Sequence, residues 1–347
     1  MEDASLDGER ERAVRASVER RGGIPPLVRM VLAVAMLALA LWYARPTAVL
    51  AMLRDVHGAT FLLALAVAIA SNLVSALRWA AIARAMGLIA PNGALVAFYG
   101  RGMAANTVLP GAVLGGDVLR GYALHRLGNP IRESALSVLV DRASGLWVLC
   151  ALSLVVVLGI AAMHAMGHRV ATPLRGDELA TSALVLALAC ALPFLAPRMQ
   201  PRPGVRATLA RLTQRVVNTL AQIRPALPRL LLMSVVVQLL SAAALCLYAR
   251  SVGAEIALSV ALAAAAPIFV MAALPIGYSG FGTRELAAVA VLAVASVPAD
   301  AATATGLLYG IGGLLQGMLG AAFFVVPLRA GDPPHRKESS PVRRVDP

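Results

Sequence analysis

Six ionisable residues stand where an apolar chain has no structural use for them. Asp117 and Arg120 close the stretch LPGAVLGGDVLR at 109–120, and Arg284 and Glu285 close LPIGYSGFGTRE at 274–285. Asp141 and Arg142 mark the entrance of SVLVDRASGLWVLCALSLVVV. A charge at mid-span costs about 3 kcal/mol on insertion scales, so such a residue faces a partner or a cavity. Neighbours on a helix point about 100° apart, so Asp141 and Arg142 cannot satisfy each other. Asp117 with Arg120, or Arg284 with Glu285, are the expected partners. The plainer alternative puts Asp141 and Arg142 at an interface, with their side chains snorkelling to water. Arg78, late in an apolar run, is expected to anchor at such an interface.

The chemistry this set suits is the holding of a charged headgroup. Arginine forks and the free N–H groups of helix starts bind phosphate. In this reading Arg120, Arg142 and Arg284, with backbone N–H groups at Gly115, Gly116, Gly280 and Gly282, hold a lipid phosphate. Asp117, Asp141 and Glu285 neutralise the arginines when the site is empty or meet a cationic headgroup. Asn106 leads directly into the first glycine-rich segment and joins the set. Catalysis is not expected, because no nucleophile with a nearby base is visible. His164 and His168 share a helix face but lack the intervening Glu of a metalloprotease helix, and no Cys/His spacing suits a metal. No cofactor, metal or catalytic residue is therefore assigned.

The elements that carry these residues follow from composition. Of 347 residues, 59% are hydrophobic and 14% charged, against about 45–50% and about 25% in globular chains. This excludes disorder, a coiled coil and a disulfide scaffold, and argues against a soluble enzyme. Apolar runs cover about 27–44, 60–83, 136–163, 179–197, 229–249, 256–274, 284–298 and 303–328. The expected fold is an all-α polytopic membrane protein with about eight transmembrane helices. The flank of the first run is long and acidic, so a retained helix is expected there and not a signal peptide. Cys150, Cys190 and Cys246 all fall inside apolar runs and read as small hydrophobes.

Lys and Arg number 31 against 18 Asp and Glu, a formal net charge of +13, and Lys337 is the only lysine. A Walker A motif or a lysine Schiff base is therefore excluded from the membrane body. The arginines lie between apolar runs, a positive-inside pattern and not a nucleic-acid face. They concentrate in the tails 1–26 and 329–347 and in the segment 198–228. Both termini are expected to be cytoplasmic, and the loops near 45–59, 167–178 and 299–302 external. In 198–228, Val205, Leu209, Leu212, Val216, Leu220 and Ile223 form one apolar stripe flanked by Arg206, Arg211 and Arg215. An interfacial amphipathic helix on an anionic leaflet fits this stripe, and so does a cytosolic linker helix packed on the bundle.

The segments at 109–120 and 274–285 resemble each other: each has Leu-Pro, a glycine five residues after the proline, and a glycine-rich turn. Proline and clustered glycine break helices. Matching interruptions in two halves are the signature of a transporter-type site at a repeat interface. The chain is accordingly expected to form two four-helix halves, 27–197 and 229–328, each with a Pro/Gly-broken or re-entrant segment, and simple span counting makes them parallel. Ser71, Asn72, Ser75, Gln238 and Gln316 are expected to be interhelical hydrogen-bond glue. Gly306, Gly310, Gly313, Gly317 and Gly320 in the last run are expected to allow close helix packing.

Taken in order, Asn106-x3-Pro110-Gly111-x3-Gly115-Gly116-Asp117-x2-Arg120, then Asp141-Arg142, then Gly280-x-Gly282-x-Arg284-Glu285, resemble the lysylphosphatidylglycerol synthase transmembrane-region family. The likeness covers about 30–328; Ser279 stands where the family's second motif usually has another glycine. The resemblance implies a flippase-like membrane domain that moves lipid across a bilayer, here without the soluble aminoacyltransferase domain of the full-length synthases. The implied partner is a phospholipid or a polyprenyl-linked lipid, in a bacterial cytoplasmic membrane. A non-transporting scaffold for envelope-biosynthesis enzymes and, less well supported, an intramembrane lipid-modifying enzyme are the other readings.

Overall fold

The computed structural model describes residues 26–43, 45–108, 113–166, 176–195, 218–219, 221–273, 280–293 and 295–325. Every regular element among them is a helix. In chain order they are α1 (Pro26–Tyr43), α2 (Pro46–Arg54), α3 (Gly58–Ala85), α4 (Asn92–Val108), α5 (Val113–His125) and α6 (Ile131–Ala165). There follow α7 (Gly176–Leu195), a 3-10 turn at Arg224–Ala226, α8 (Leu227–Ser251), α9 (Leu258–Ala273), α10 (Thr283–Ala293) and α11 (Ala299–Val325). Both tails, most of the basic 198–228 segment, and the Leu-Pro dipeptides at 109–110 and 274–275 lie outside the described residues. Where 198–228 is described, it packs: Ile223 is buried against Ala81, Ile82 and Leu230.

Each of the eight apolar runs coincides with a helix, but not every such helix among the described residues is long and apolar enough to cross a membrane alone. Among the described residues α3, α6, α8 with its preceding turn, and α11 are long and apolar enough to cross a membrane. A fifth span arises if Val34–Tyr43 and Pro46–Arg54, bent by 92°, count as one. The remaining runs form shorter helices. α10 has 11 residues, a length of about 17 Å, against a hydrocarbon core of about 30 Å.

α3 and α8 form the central pair, and they are antiparallel. The His57 amide donates to the Ser251 carbonyl at one end, Ser71 donates to the Val237 carbonyl midway, and Arg78 reaches Ser234 towards the other end. Asn72 also donates to Gln316 on α11 at 2.5 Å, and Gln238 on α8 donates to the Gly145 carbonyl of α6. These polar residues are the interhelical glue expected of them.

α5 folds back on α4 as an antiparallel hairpin. Asn106 meets Gly116 near the bend, and Tyr99 meets Arg120 farther from it. Asn129, 4% exposed, fastens the base of the hairpin, because its side chain bonds the Ile89 amide and the Ile89 and Leu124 carbonyls. The last helix uses its glycines as expected at four positions: Gly306 lies on Glu285, Gly310 on Arg284, Gly317 on Thr107 and Gly320 on Gly100, whereas Gly313 faces open space.

Candidate functional site

The charged residues singled out in the sequence form two clusters. The larger is a chain of five side chains on α3, α5 and α6. Asp141, 1% exposed, is gripped from two sides. Arg78 Nη2 lies 2.9 Å from its Oδ1, and Arg120 Nη2 lies 3.0 Å from its Oδ2. Arg120 Nη1 continues to Asp117 Oδ1 at 3.1 Å, and Arg142 Nε closes the chain on Asp117 Oδ2 at 2.7 Å. Asp141 and Arg142 thus point to different partners, as their positions on one helix demand. Three arginines face two aspartates, which leaves one positive charge in excess.

Arg78 corrects the interface-anchoring expectation. Its guanidinium is buried at the junction of three helices. It donates to the Asp141 carboxylate and carbonyl on α6 and to Ser234 Oγ on α8. Gly145 leaves room for it, since a Cβ there would stand 3.0 Å from both terminal nitrogens. Hydropathy alone could not distinguish a snorkelling arginine from a paired one. The signal was Asp141, an aspartate inside an apolar run that needs a cationic partner from another helix.

Arg120 is held by more than charge. Its guanidinium carbon sits 4.3 Å from the Trp79 ring centre and 4.4 Å from that of Tyr99. A cation between two aromatic faces gains up to about 2 kcal/mol per face when desolvated. Its Nε is buried without a hydrogen-bond partner among the described residues. Arg142 is different. Its side chain is 41% exposed, against 14% for Asp117 and 2% for Arg120, so the buried network ends in one partly exposed arginine, bonded to Asp117 through Nε and Nη2.

The second cluster is built on the start of α10. Gly280 and Gly282 have φ of +77° and +84°, a region open to glycine and strained for other residues. Glu285, fully buried, accepts from the Gly282 amide at 2.6 Å through Oε2. A Glu at the third helical position reaching back to the residue before the helix is half of a capping box. Its other oxygen accepts from Nε and Nη2 of Arg284, and Arg284 Nε also donates to the Gly306 carbonyl. Arg284 and Glu285 therefore satisfy each other although they are adjacent, because Glu285 is turned back over the helix end. The capping role was legible as Gly-x-x-Glu at 282–285 and was missed.

Two of the four backbone donors expected to hold phosphate, at Gly115, Gly116, Gly280 and Gly282, have partners within the protein: Gly116 N–H is taken by Asn106 Oδ1 at 2.8 Å and Gly282 N–H by Glu285. No hydrogen bond or ion pair joins the two clusters among the described residues. No group of three His, Cys, Asp or Glu side chains among them has the arrangement of a metal site.

A family model described as the lysylphosphatidylglycerol synthase TM region matches residues 28–320. No curated protein matches the chain.

Proposed function

Starting from a chain that belongs to the lysylphosphatidylglycerol synthase transmembrane-region family, we propose that it moves a lipid with an anionic headgroup between bilayer leaflets. The observation that carries this reading is the Arg78–Asp141–Arg120–Asp117–Arg142 chain, with its single excess positive charge and its one partly exposed arginine. Arg142 is the phosphate contact, because binding there displaces one exposed ion pair and leaves the buried pairs intact. Arg120 and Arg78 hold Asp141, and through it α6, in register with the hairpin. The lipid is a phospholipid or a polyprenyl-linked lipid, the phosphate being common to both.

An inverted repeat supports alternating access. The two glycine-rich motifs lie 165 residues apart, and the same offset carries α4 onto 257–273 and α3 onto 223–250. Those ranges are where α9 and α8 lie. α6 maps on α11 likewise. The helix contacts follow the correspondence, since α4 packs on α11 as α9 packs on α6, and α5 on α6 as α10 on α11. Because α3 and α8 are antiparallel, the repeats are inverted, with α7 as the extra helix between them. This reading favours inverted repeat units of about 58–165 and 221–325 over the parallel halves expected from span counting.

Charge orients the assembly. Arg84, Arg126, Arg132, Arg224 and Arg229 lie at one end of the α3–α8 pair; Asp55, Glu255 and Asp300 lie at the other, among only a few arginines. The first end is cytoplasmic by the positive-inside rule, in a bacterial cytoplasmic membrane.

Binding of fluorescent short-chain phosphatidylglycerol to protein in phosphatidylcholine nanodiscs tests the site. Arg142→Gln is expected to weaken binding at least tenfold, the scale of one or two charge-assisted hydrogen bonds. Equal affinity for wild type and variant would reject Arg142 as the contact.

A further inference from the structure

Small residues bring the backbones of α4 and α11 together. A Cβ on Gly320 would strike the Gly100 carbonyl, and one on Gly100 would strike the Phe323 ring. The last turn of a helix leaves carbonyls without helical partners, and Arg101 takes one of them in α11. Its Nε and Nη2 donate to the Phe323 carbonyl at 2.9 and 2.7 Å. The guanidinium carbon also lies 5.4 Å from the Phe324 ring centre and 6.0 Å from that of Phe98. A cation bonded to the carbonyl end of a helix is favoured by the helix dipole as well. Behind this fastening a cavity of about 180 Å³ lies between α3, α4 and α11. Gly100, Gly320 and Phe323 wall it, and it reaches in to the bonded pair Asn72 and Gln316.

The second repeat supplies the comparison. The offset that relates the glycine-rich motifs carries Phe98, Tyr99 and Arg101 of α4 onto Ala263, Ala264 and Ala266 of α9. α9 packs on α6 as α4 packs on α11. All three alanines line a cavity of about 510 Å³ at that equivalent seam. One seam is thus filled and fastened, and its counterpart is open where the three side chains are cut back to methyl groups.

Resting on the inverted repeat and the lipid movement proposed above, we infer that the α4–α11 seam is a gate of the lipid path, closed on the cytoplasmic side, with Arg101 as its latch. The bonds on either side of the hairpin show which seam parts. Arg120 and Asp141 hold the hairpin on α6 through a buried ion pair, and separating such a pair strands two charges. Arg101 holds α11 through a neutral carbonyl instead. When that bond opens, no buried carboxylate is left without its cation, and water or a lipid phosphate can take the guanidinium.

A reversible lock tests the gate. A Cβ on Gly317 would stand 3.1 Å from that of Thr107, near the separation of about 3.5–4.5 Å in a disulfide. Thr107→Cys with Gly317→Cys, in a full chain carrying Cys150→Ala, Cys190→Ala and Cys246→Ala, therefore allows the seam to be shut by oxidation and freed by a thiol. Movement of short-chain fluorescent phosphatidylglycerol in phosphatidylcholine liposomes is followed by extraction with albumin. The reduced pair should move lipid as the cysteine-free parent does; oxidation should slow it at least tenfold, and a thiol should restore it. Equal rates in the oxidised and reduced forms would overturn the gate. A parent that moves no lipid would reject the transport reading, and the latch is then decided by distance. For this, spin labels are placed in the same cysteine-free chain at Tyr122→Cys on α5 and Met318→Cys on α11, both exposed positions. With Arg101 present one distance is expected in nanodiscs. Arg101→Ala should add a longer one, and Arg101→Lys, which lacks the two-nitrogen fork, a smaller share of it. A single unchanged distance in both variants would overturn the latch whatever the lipid does.

Discussion

Asp141 and Arg142 are adjacent on α6, and their burial decides opposite experimental uses for them. Asp141 is 1% exposed and neutralises both Arg78 and Arg120. Removing one partner of a buried pair leaves an uncompensated charge at a cost of about 3–5 kcal/mol. Asp141→Asn is therefore expected to lower stability by that amount in thermal unfolding followed by tryptophan fluorescence. Arg142, 41% exposed on its side chain, makes an ion pair of the kind worth at most about 1 kcal/mol. Arg142→Gln is expected to unfold near the wild-type temperature while losing headgroup binding. A variant at Asp141 that binds lipid poorly reports on folding; the same loss at Arg142 reports on the site. The sequence made all the charged members of this network visible except for the role of Arg78, because burial and partner choice depend on which helices meet, and a single apolar run carries no record of its neighbours.

Helices are positioned here by what small residues permit. Gly310 lies against the Arg284 guanidinium and the Phe281 ring, so a Cβ at that position must displace a buried, paired arginine. Gly310→Ala is expected to cost about 1–3 kcal/mol, the usual range for overpacking. Gly313→Ala, one turn on and facing open space, should be neutral or stabilising by about 0.5–1 kcal/mol, since alanine orders in a helix more readily than glycine. Thermal unfolding of the two variants side by side separates close packing from a general effect of alanine. The glycine stripe was readable as packing, but its partner was not, because the stripe serves the arginine of α10 through the Gly306 carbonyl as well as backbone approach. The hairpin of α4 and α5 was harder still. Its stretch is polar and Gly-rich, with no apolar period to announce a helix, and it is held by Asn106, Asn129 and the stacked Arg120.

On the scale of the whole molecule, the orientation of the two repeats separates an inverted from a parallel arrangement. With native cysteines replaced, single cysteines at Asp55 and Glu255 are expected to react with a membrane-impermeant maleimide from the same side, and one at Arg229 from the opposite side. Parallel repeats would put Asp55 and Arg229, each near the start of an equivalent helix, on one side. Span counting treats every apolar run as a full crossing, whereas among the described residues several runs form helices too short to cross alone. The family and the helical membrane class were legible from three short motifs and composition; the proposed direction of the repeat rests on the antiparallel α3–α8 contacts. The central claim, movement of an anionic lipid between leaflets, is tested most directly in phosphatidylcholine liposomes carrying a trace of phosphatidylglycerol labelled on its headgroup. A membrane-impermeant reductant is then added. With wild-type protein, fluorescence should fall beyond the half that represents the outer leaflet, and Arg142→Gln should return it towards the half-way plateau of empty liposomes. A plateau at one half with wild-type protein for phosphatidylglycerol, an aminoacylated phosphatidylglycerol and a polyprenyl phosphate alike would contradict the account.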